Sequence, residues 1–265
     1  MLVNRTIASV CFIAVLKIPS FWCLQNARSG PVYPTSIAER EEKKIKNNRK
    51  DVLPYDHSRV VLTYENRSRA KDYINASYVP GVMNQHQYIA AQGPTSSTIS
   101  YFWWMVWQEH ASKVVMISGP NELDVVAYWP ESKQVYGAIT VALKITTLSA
   151  DFVVRELELS MEGQTRSVTQ FHYTTWPRGS VPPYTDSLHS FITAVRSSHP
   201  GDSHPTIVHG RESIGRTGTL ILIDSMISQA EAEGKVDFLK QLLAIRHSRM
   251  NMVETAVRVL FVFMT

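Results

Sequence analysis

Apolar and polar residues alternate over 73–79 and again over 87–91, the period-2 pattern of half-buried strands. Over 98–108 (TISYFWWMVWQ) the spacing becomes helical and strongly aromatic. Phe102, Met105 and Val106 share one face, which predicts a core helix. Strand-like runs follow at 113–117, 125–129, 137–147, 152–159 and 166–173, and 188–198 has the 3.6-residue period of an amphipathic helix. A short β-branched run, Thr206-Ile207-Val208, precedes a loop bounded by Gly210, Gly215 and Gly218. Three helical stretches then close the chain, at 219–233, 236–246 and 253–264. Upstream, 51–62 reads as a turn and a strand, 28–40 as an extended linker, and the charge run 39–50 as a solvated helix end or loop. Strands first and helices later predict an α/β chain of the α+β type, a single domain with a twisted mixed sheet flanked by helices.

Composition changes this picture little. With 265 residues, 44% hydrophobic and 19% charged, the chain can bury a sizeable core. The pI near 9.0 looks basic, but its source is local. Residues 1–30 carry Arg5, Lys17 and Arg28 with no acid, and the remainder has 24 basic against 23 acidic residues. Bulk charge therefore gives no support to nucleic-acid binding. Both cysteines, Cys11 and Cys23, also fall in residues 1–30. From Ala27 onward a disulfide, a thiolate metal site and a cysteine nucleophile are all excluded. The organisation expected is a leader over 1–30, a possible signal peptide or non-domain segment, followed by a domain over 31–265. Arg5 before the apolar run 6–16 has the order of a signal peptide, although Lys17 interrupts it. That run is too short for a bilayer, which needs about 20 residues, so no integral membrane span is expected. Secretion follows if residues 1–27 act as a signal peptide.

The stretch TIVHGRESIGRTGTLILID, residues 206–224, orders a strand, a tight glycine loop and a helix start. That junction aims backbone N–H groups and the positive end of a helix dipole at one spot, a site for phosphate or another anion. Arg216 can grip two anion oxygens at once. His209, six residues, then Arg216-Thr217-Gly218 resembles the signature loop of the protein tyrosine phosphatases. Further strings resemble that family's motifs in the family's order: 46–47 through 51–60, then 72–78, 88–94, 102–107, 128–130 and 171–177. Together they cover about residues 34–264. The resemblance implies the tyrosine-phosphatase fold, no cofactor, a cytoplasmic location and phosphorylated protein as partner. It also implies a phosphate cradle from Ser213, Ile214, Gly215, Arg216 and Thr217, ordered by His209, and a substrate loop containing Arg49 and Asp51.

The chemistry departs from that pattern. The family's mechanism needs a thiolate nucleophile, a general acid for the leaving tyrosine oxygen, and a side chain that orients water. By position the resemblance puts the nucleophile at Gly210, which has no side chain, and the acid at Arg178, whose guanidinium stays protonated. The family's two glutamines fall at Glu254 and Arg258, and its ring-stacking tyrosine near Arg49, which could stack on a ring by a cation–π contact. Glu212 sets a carboxylate near the loop. The expectation is a pseudophosphatase that binds phosphotyrosine or acidic protein segments, or acts as a scaffold. One alternative is an active phosphatase with a non-standard nucleophile such as Ser213. A remote one is a nucleotide-binding P-loop, since Gly210-x4-Gly215-Arg216-Thr217 lies one residue from that motif.

Overall fold

The computed structural model describes residues 32–63, 72–119, 122, 126–255, 258, 261 and 262. Among these, the strands are β1 (Arg59–Val61), β2 (Tyr73–Val79), β3 (Tyr88–Gln92), β4 (Lys113–Ile117), β5 (Lys133–Tyr136), β6 (Ile139–Leu148), β7 (Phe152–Met161), β8 (Gln164–Tyr173) and β9 (Thr206–Gly210). The helices are α1 (Glu41–Lys44), α2 (Ile99–Gln108), α3 (Thr185–Ser197), α4 (Gly215–Glu233) and α5 (Phe238–Ser248). All the strands join one mixed sheet in the order β1-β2-β3-β9-β4-β8-β7-β6-β5. Its middle is parallel, β3 to β9, β9 to β4 and β4 to β8, and its two flanks are antiparallel.

Parallel strands buried on both faces carry apolar residues on both faces, and β4 shows why. Val114 and Met116 point into a core shared with α2, whereas Val115 and Ile117 point into a core shared with α3, α4 and α5. Helix α2 is covered all round, since Phe102 through Trp107 are buried without a break. Its far side is closed by β5 and β6 and by the chain near Tyr128, whose carbonyl accepts from the Trp103 indole at 2.9 Å. Helix α4 is equally enclosed from Gly215 to Ile223, and it ends on Gly234 in the left-handed region (φ 67°). Because β3, β4, β8 and β9 run the same way, their C-terminal ends share one edge of the sheet. In such sheets ligands settle at that edge.

Several sequence expectations need correction. Residues 126–129 are not a strand, and Val125 lies outside the described residues. The Tyr128 carbonyl is spent on an indole and its hydroxyl on side chains, so this segment has no ladder to join. Strand β5 was not expected, because KQVY is a polar edge strand with an exposed pattern. The run 137–147 begins later, at Ile139, since Gly137 (φ 66°) serves the β5–β6 turn. Helix α4 starts at Gly215, four residues before the expected 219, with Gly218 inside it. The last helix does not begin at 253, for residues 253–255 are not helical, and much of 256–265 lies outside the described residues. The described part of the linker, from 32 onward, is packed down. Asp56 accepts from the Ser36 and Ile37 N–H groups, and Tyr33 lies edge-on to Tyr55 at 5.2 Å. The leader reading at 1–30 falls outside the described residues.

Gly218 makes the early helix start possible. A Cβ there would lie 2.6 Å from the Val253 backbone nitrogen. Helix propensity alone favours Gly→Ala by about 1 kcal/mol. The overlap is expected to outweigh it, so Gly218→Ala should destabilise by about 1–3 kcal/mol in chemical denaturation. A variant as stable as the parent would show that the 252–253 backbone gives way freely.

Candidate functional site

Strand β9 is held in the sheet up to its last residue. Gln92 pairs with Gly210, Met116 with His209, and the Gly93 N–H donates to the Gly210 carbonyl at 2.7 Å. The chain then turns through residues 211–214, with Ser213 in the left-handed region (φ 52°), and enters α4 at Gly215. The unpaired N–H groups of the first helical turn therefore face the concavity of the loop. At its base Gly210 offers no side chain. A Cβ there would meet the Ile117 carbonyl at 3.0 Å and Thr217 Oγ1 at 3.5 Å. The Ser213 and Thr217 hydroxyls are buried and have no hydrogen-bond partner among the described residues.

A neutral network lies behind the loop. His209 shares a 2.7 Å hydrogen bond through Nε2 with the Tyr128 hydroxyl, which also accepts from Gln170 at 2.6 Å. Burial, with His172 nearby, pushes the His209 pKa down to about 3. Burial and Arg155 push His172 down to about 4. Both rings are neutral in the folded protein at ordinary pH. The loop itself is strung on Arg249, which is completely buried. This guanidinium donates to the Ser213 carbonyl at 3.2 Å, to Asn75 Oδ1 at 2.7 Å and to Ser77 Oγ at 3.2 Å, tying the loop to β2. Burial lowers its pKa to about 10, so it remains a cation. On the other side, Asn48 donates to the Arg211 carbonyl at 3.1 Å and receives Gln92 Oε1 on its N–H at 2.7 Å. Those bonds place Arg49 at the rim.

The cleft above the loop measures about 590 Å³ and is rich in arginine. Arg216 donates through Nη1 to the Trp176 carbonyl at 2.8 Å and through Nη2 to Glu122 at 2.7 and 3.0 Å. Arg258 lies over Gly215, pairs with Glu254 at 3.3 Å and donates to the Ser180 carbonyl at 3.2 Å. The Trp176 indole donates to the same carbonyl at 2.9 Å, which pins the turn bearing Arg178. Across the mouth, Glu212 pairs with Arg49 at 3.0 Å and with Arg178 at 3.6 Å. Arg49 is further fixed by Asp51, at 2.9 Å from its Nε.

Gly210, Ser213, Ile214, Gly215, Arg216, Thr217, Arg178, Glu254 and Arg49 therefore line one cleft. His209 and Asp51 do not line it, acting respectively from behind the loop and on Arg49. Arg49 is paired with two carboxylates, so the cation–π platform expected of it would first require those pairs to open. Glu122 and Arg249 were not identified from sequence. A glutamate between two expected strands, and an arginine just past a helix, carry no local signal of burial. Ser213 has no base beside its hydroxyl, and no strand follows β9 among the described residues, so neither the alternative nucleophile nor the nucleotide loop finds its supporting parts. Among the described residues no cluster of three His, Cys, Asp or Glu side chains is placed to hold a metal, and no helix is long and apolar enough to cross a membrane.

Comparison with known proteins places this geometry. The protein-tyrosine phosphatase family model matches residues 43–265. The chain is 35% identical to human (Homo sapiens) receptor-type tyrosine-protein phosphatase alpha over 88% of its length and 30% of the relative's. It is 36% identical to receptor-type tyrosine-protein phosphatase U of Gallus gallus, over 85% of this chain and 16% of that protein. It is also 37% identical to receptor-type tyrosine-protein phosphatase F of Danio rerio, over 88% and 12%. The chain thus spans less than a third of each of these relatives.

The two depressed histidines set a pH dependence. Unfolding returns each to the ordinary value of 6.5, so the unfolded chain binds more protons below that pH. Their stabilisation is complete above pH 6.5 and is lost as pH falls toward 4 and then 3. Between pH 6 and 5 each should cost about 1.4 kcal/mol of unfolding free energy. Denaturant melts across that range should show the fall, and His172→Gln should remove about half of it. A flat profile would mean that both rings are charged in the folded state, and half the fall in the parent that one of them is.

Proposed function

The chain belongs to the protein-tyrosine phosphatase family, and from that premise we propose that this domain binds a phosphorylated or acidic protein segment without hydrolysing it. One observation carries the reading. The loop retains its anion cradle, with converging helix-start N–H groups, Arg216 and the buried hydroxyls of Ser213 and Thr217, while its base is Gly210. Phosphoryl transfer to the protein needs a nucleophilic atom at a fixed place, and displacement by about 1 Å forfeits much of the rate. Arg178 adds a second obstacle, since a guanidinium cannot protonate a leaving oxygen near neutral pH.

Binding asks less of the site than turnover does. An anion needs donors in place and a positive field, and both remain. The Glu122 carboxylate on Arg216 favours a second reading, a scaffold whose cleft stays empty, because a ligand has to share that guanidinium.

Purified protein is expected to release no phosphate from a phosphotyrosine peptide above an Arg216→Ala control. Tungstate or the same peptide should raise the melting temperature, and Arg216→Ala should abolish the rise. Phosphate release by the parent protein sinks the proposal, and an unchanged melting temperature leaves the scaffold reading. Restoring the missing atom gives a further test. Gly210→Cys must move the Ile117 carbonyl by a few tenths of an ångström to fit. It should then cleave an aryl phosphate whose leaving group needs no proton. On phosphotyrosine it should remain about 10²–10⁴-fold slower than a variant that also carries Arg178→Asp. Equal rates for the two variants would remove Arg178 from the explanation.

A further inference from the structure

A second cavity, of about 540 Å³, opens at the opposite end of the sheet from the glycine loop. Tyr88, Thr206 and Lys113 line it and are the first residues of β3, β9 and β4, so it lies at the N-terminal edge of the parallel strands. Its inner surface is apolar. Val115 and Val208 come from the sheet, Phe191 and Ile192 from α3, and Leu220 and Ile221 from α4. Helix–sheet packing normally closes such a space, because protein interiors hold few voids larger than a water molecule. The volume is that of a site for a small organic ligand.

The lining carries Lys113, Arg196, Asp202 and Asp224, and three of these are matched within the protein. Arg196 donates to Asp224 at 2.8 Å and to Ser228 at 2.9 Å, and it also pairs with Glu231, latching α3 to α4. Asp224 takes a further bond from the Tyr88 hydroxyl at 2.6 Å. Asp202 accepts from the Ser112 hydroxyl and from the His204 N–H at 2.9 Å. Both carboxylates are thus engaged with other donors, and among the described residues Lys113 pairs with neither. Its place on β4 turns it toward the cavity. Side chains alternate along a strand, so Lys113 shares the face of Val115, whereas Val114 joins the core on the other side. A lysine so placed lays its stem on the apolar surface and keeps its ammonium at the mouth.

We propose that this cavity binds a free aliphatic monocarboxylic acid, its chain against the apolar inner surface and its carboxylate on Lys113. One charge-assisted hydrogen bond fixes the head, and the chain removes water from the apolar side chains. A cationic amphiphile would meet Lys113 with like charge and find both aspartates engaged. A neutral one would leave the ammonium without a counter-charge. The site is separate from the glycine loop, so it stands or falls independently of anion binding at Arg216.

Isothermal titration of the full chain with decanoate, octanoate, decanol and phosphatidylserine vesicles tests this. Decanoate is expected to bind at least ten-fold more tightly than decanol, which has the same chain without the charge. Octanoate should bind roughly fifteen-fold more weakly than decanoate, since each buried methylene is worth about four-fold. Lys113→Gln should bring decanoate down to the affinity of decanol while melting within a few degrees of the parent. Ser228→Trp, which fills the space, should abolish binding of both, and Arg216→Ala should leave both unchanged. No binding of decanoate, or equal affinity for decanoate and decanol, overturns the proposal whether or not Ser228→Trp folds. A loss in Arg216→Ala with none in Lys113→Gln places the acid at the glycine loop and also overturns it. Lys113-dependent binding to the vesicles, with none of the free acids bound, overturns the assignment to a free acid.

Discussion

One buried guanidinium holds the anion loop to the rest of the molecule. Arg249 lies wholly out of solvent, and its donors are spent on a loop carbonyl, on Asn75 and on Ser77. A charge buried in this way is tolerable only when its donors are matched, and truncating it would strand several acceptors together. The loop's curvature, and with it the direction of its N–H groups, follows from that attachment. Strand β9 constrains the loop at its other end, pinned between β3 and β4 up to the Gly93–Gly210 hydrogen bond.

Around this frame the polar network is kept neutral. His209, Tyr128 and Gln170 form a chain of hydrogen bonds behind the loop, His172 bonds to Ser118 nearby, and burial holds both imidazoles uncharged. A charged ring there would add a second cation beside Arg249 and Arg216 in a medium of low dielectric. The positive field is instead concentrated on the solvent side of the loop, in arginines from several separate segments. Their carboxylate partners, Glu122, Glu212 and Glu254, lie outside the named helices and strands.

The separation of binding from turnover follows from the same arrangement. The anion cradle is mostly backbone, and backbone geometry is a property of the fold. Nucleophile and acid chemistry are properties of single side chains, and in the proposed reading Gly210 and Arg178 stand at those positions and are chemically unsuited to the tasks. A fold can therefore keep the first and lose the second without loss of packing. The core strands pair in register, and Trp176 remains fully buried beside Phe261.

Most of the architecture was legible in the sequence, because a strand buried on one or both faces writes itself as alternation or as an apolar run. The strands at 73–79 and 113–117 appear with the expected bounds, and helix α2 lies within a residue of its aromatic segment. The course of the glycine loop was legible too, since glycines between a β-branched run and an apolar helix leave the backbone few other courses. What the chain could not declare were facts of long-range proximity. A strand at 125–129 was expected, but the described residues 126–129 form none, and an indole 25 residues away takes the carbonyl of Tyr128. Arg216 could be singled out as a candidate anion ligand from its place after the glycine loop, whereas its pairing with Glu122, 94 residues distant, exists only after folding. Local sequence sets backbone preference and side-chain chemistry. Only tertiary structure brings distant charges within hydrogen-bond range, and at this site that proximity decides which carboxylate each guanidinium meets.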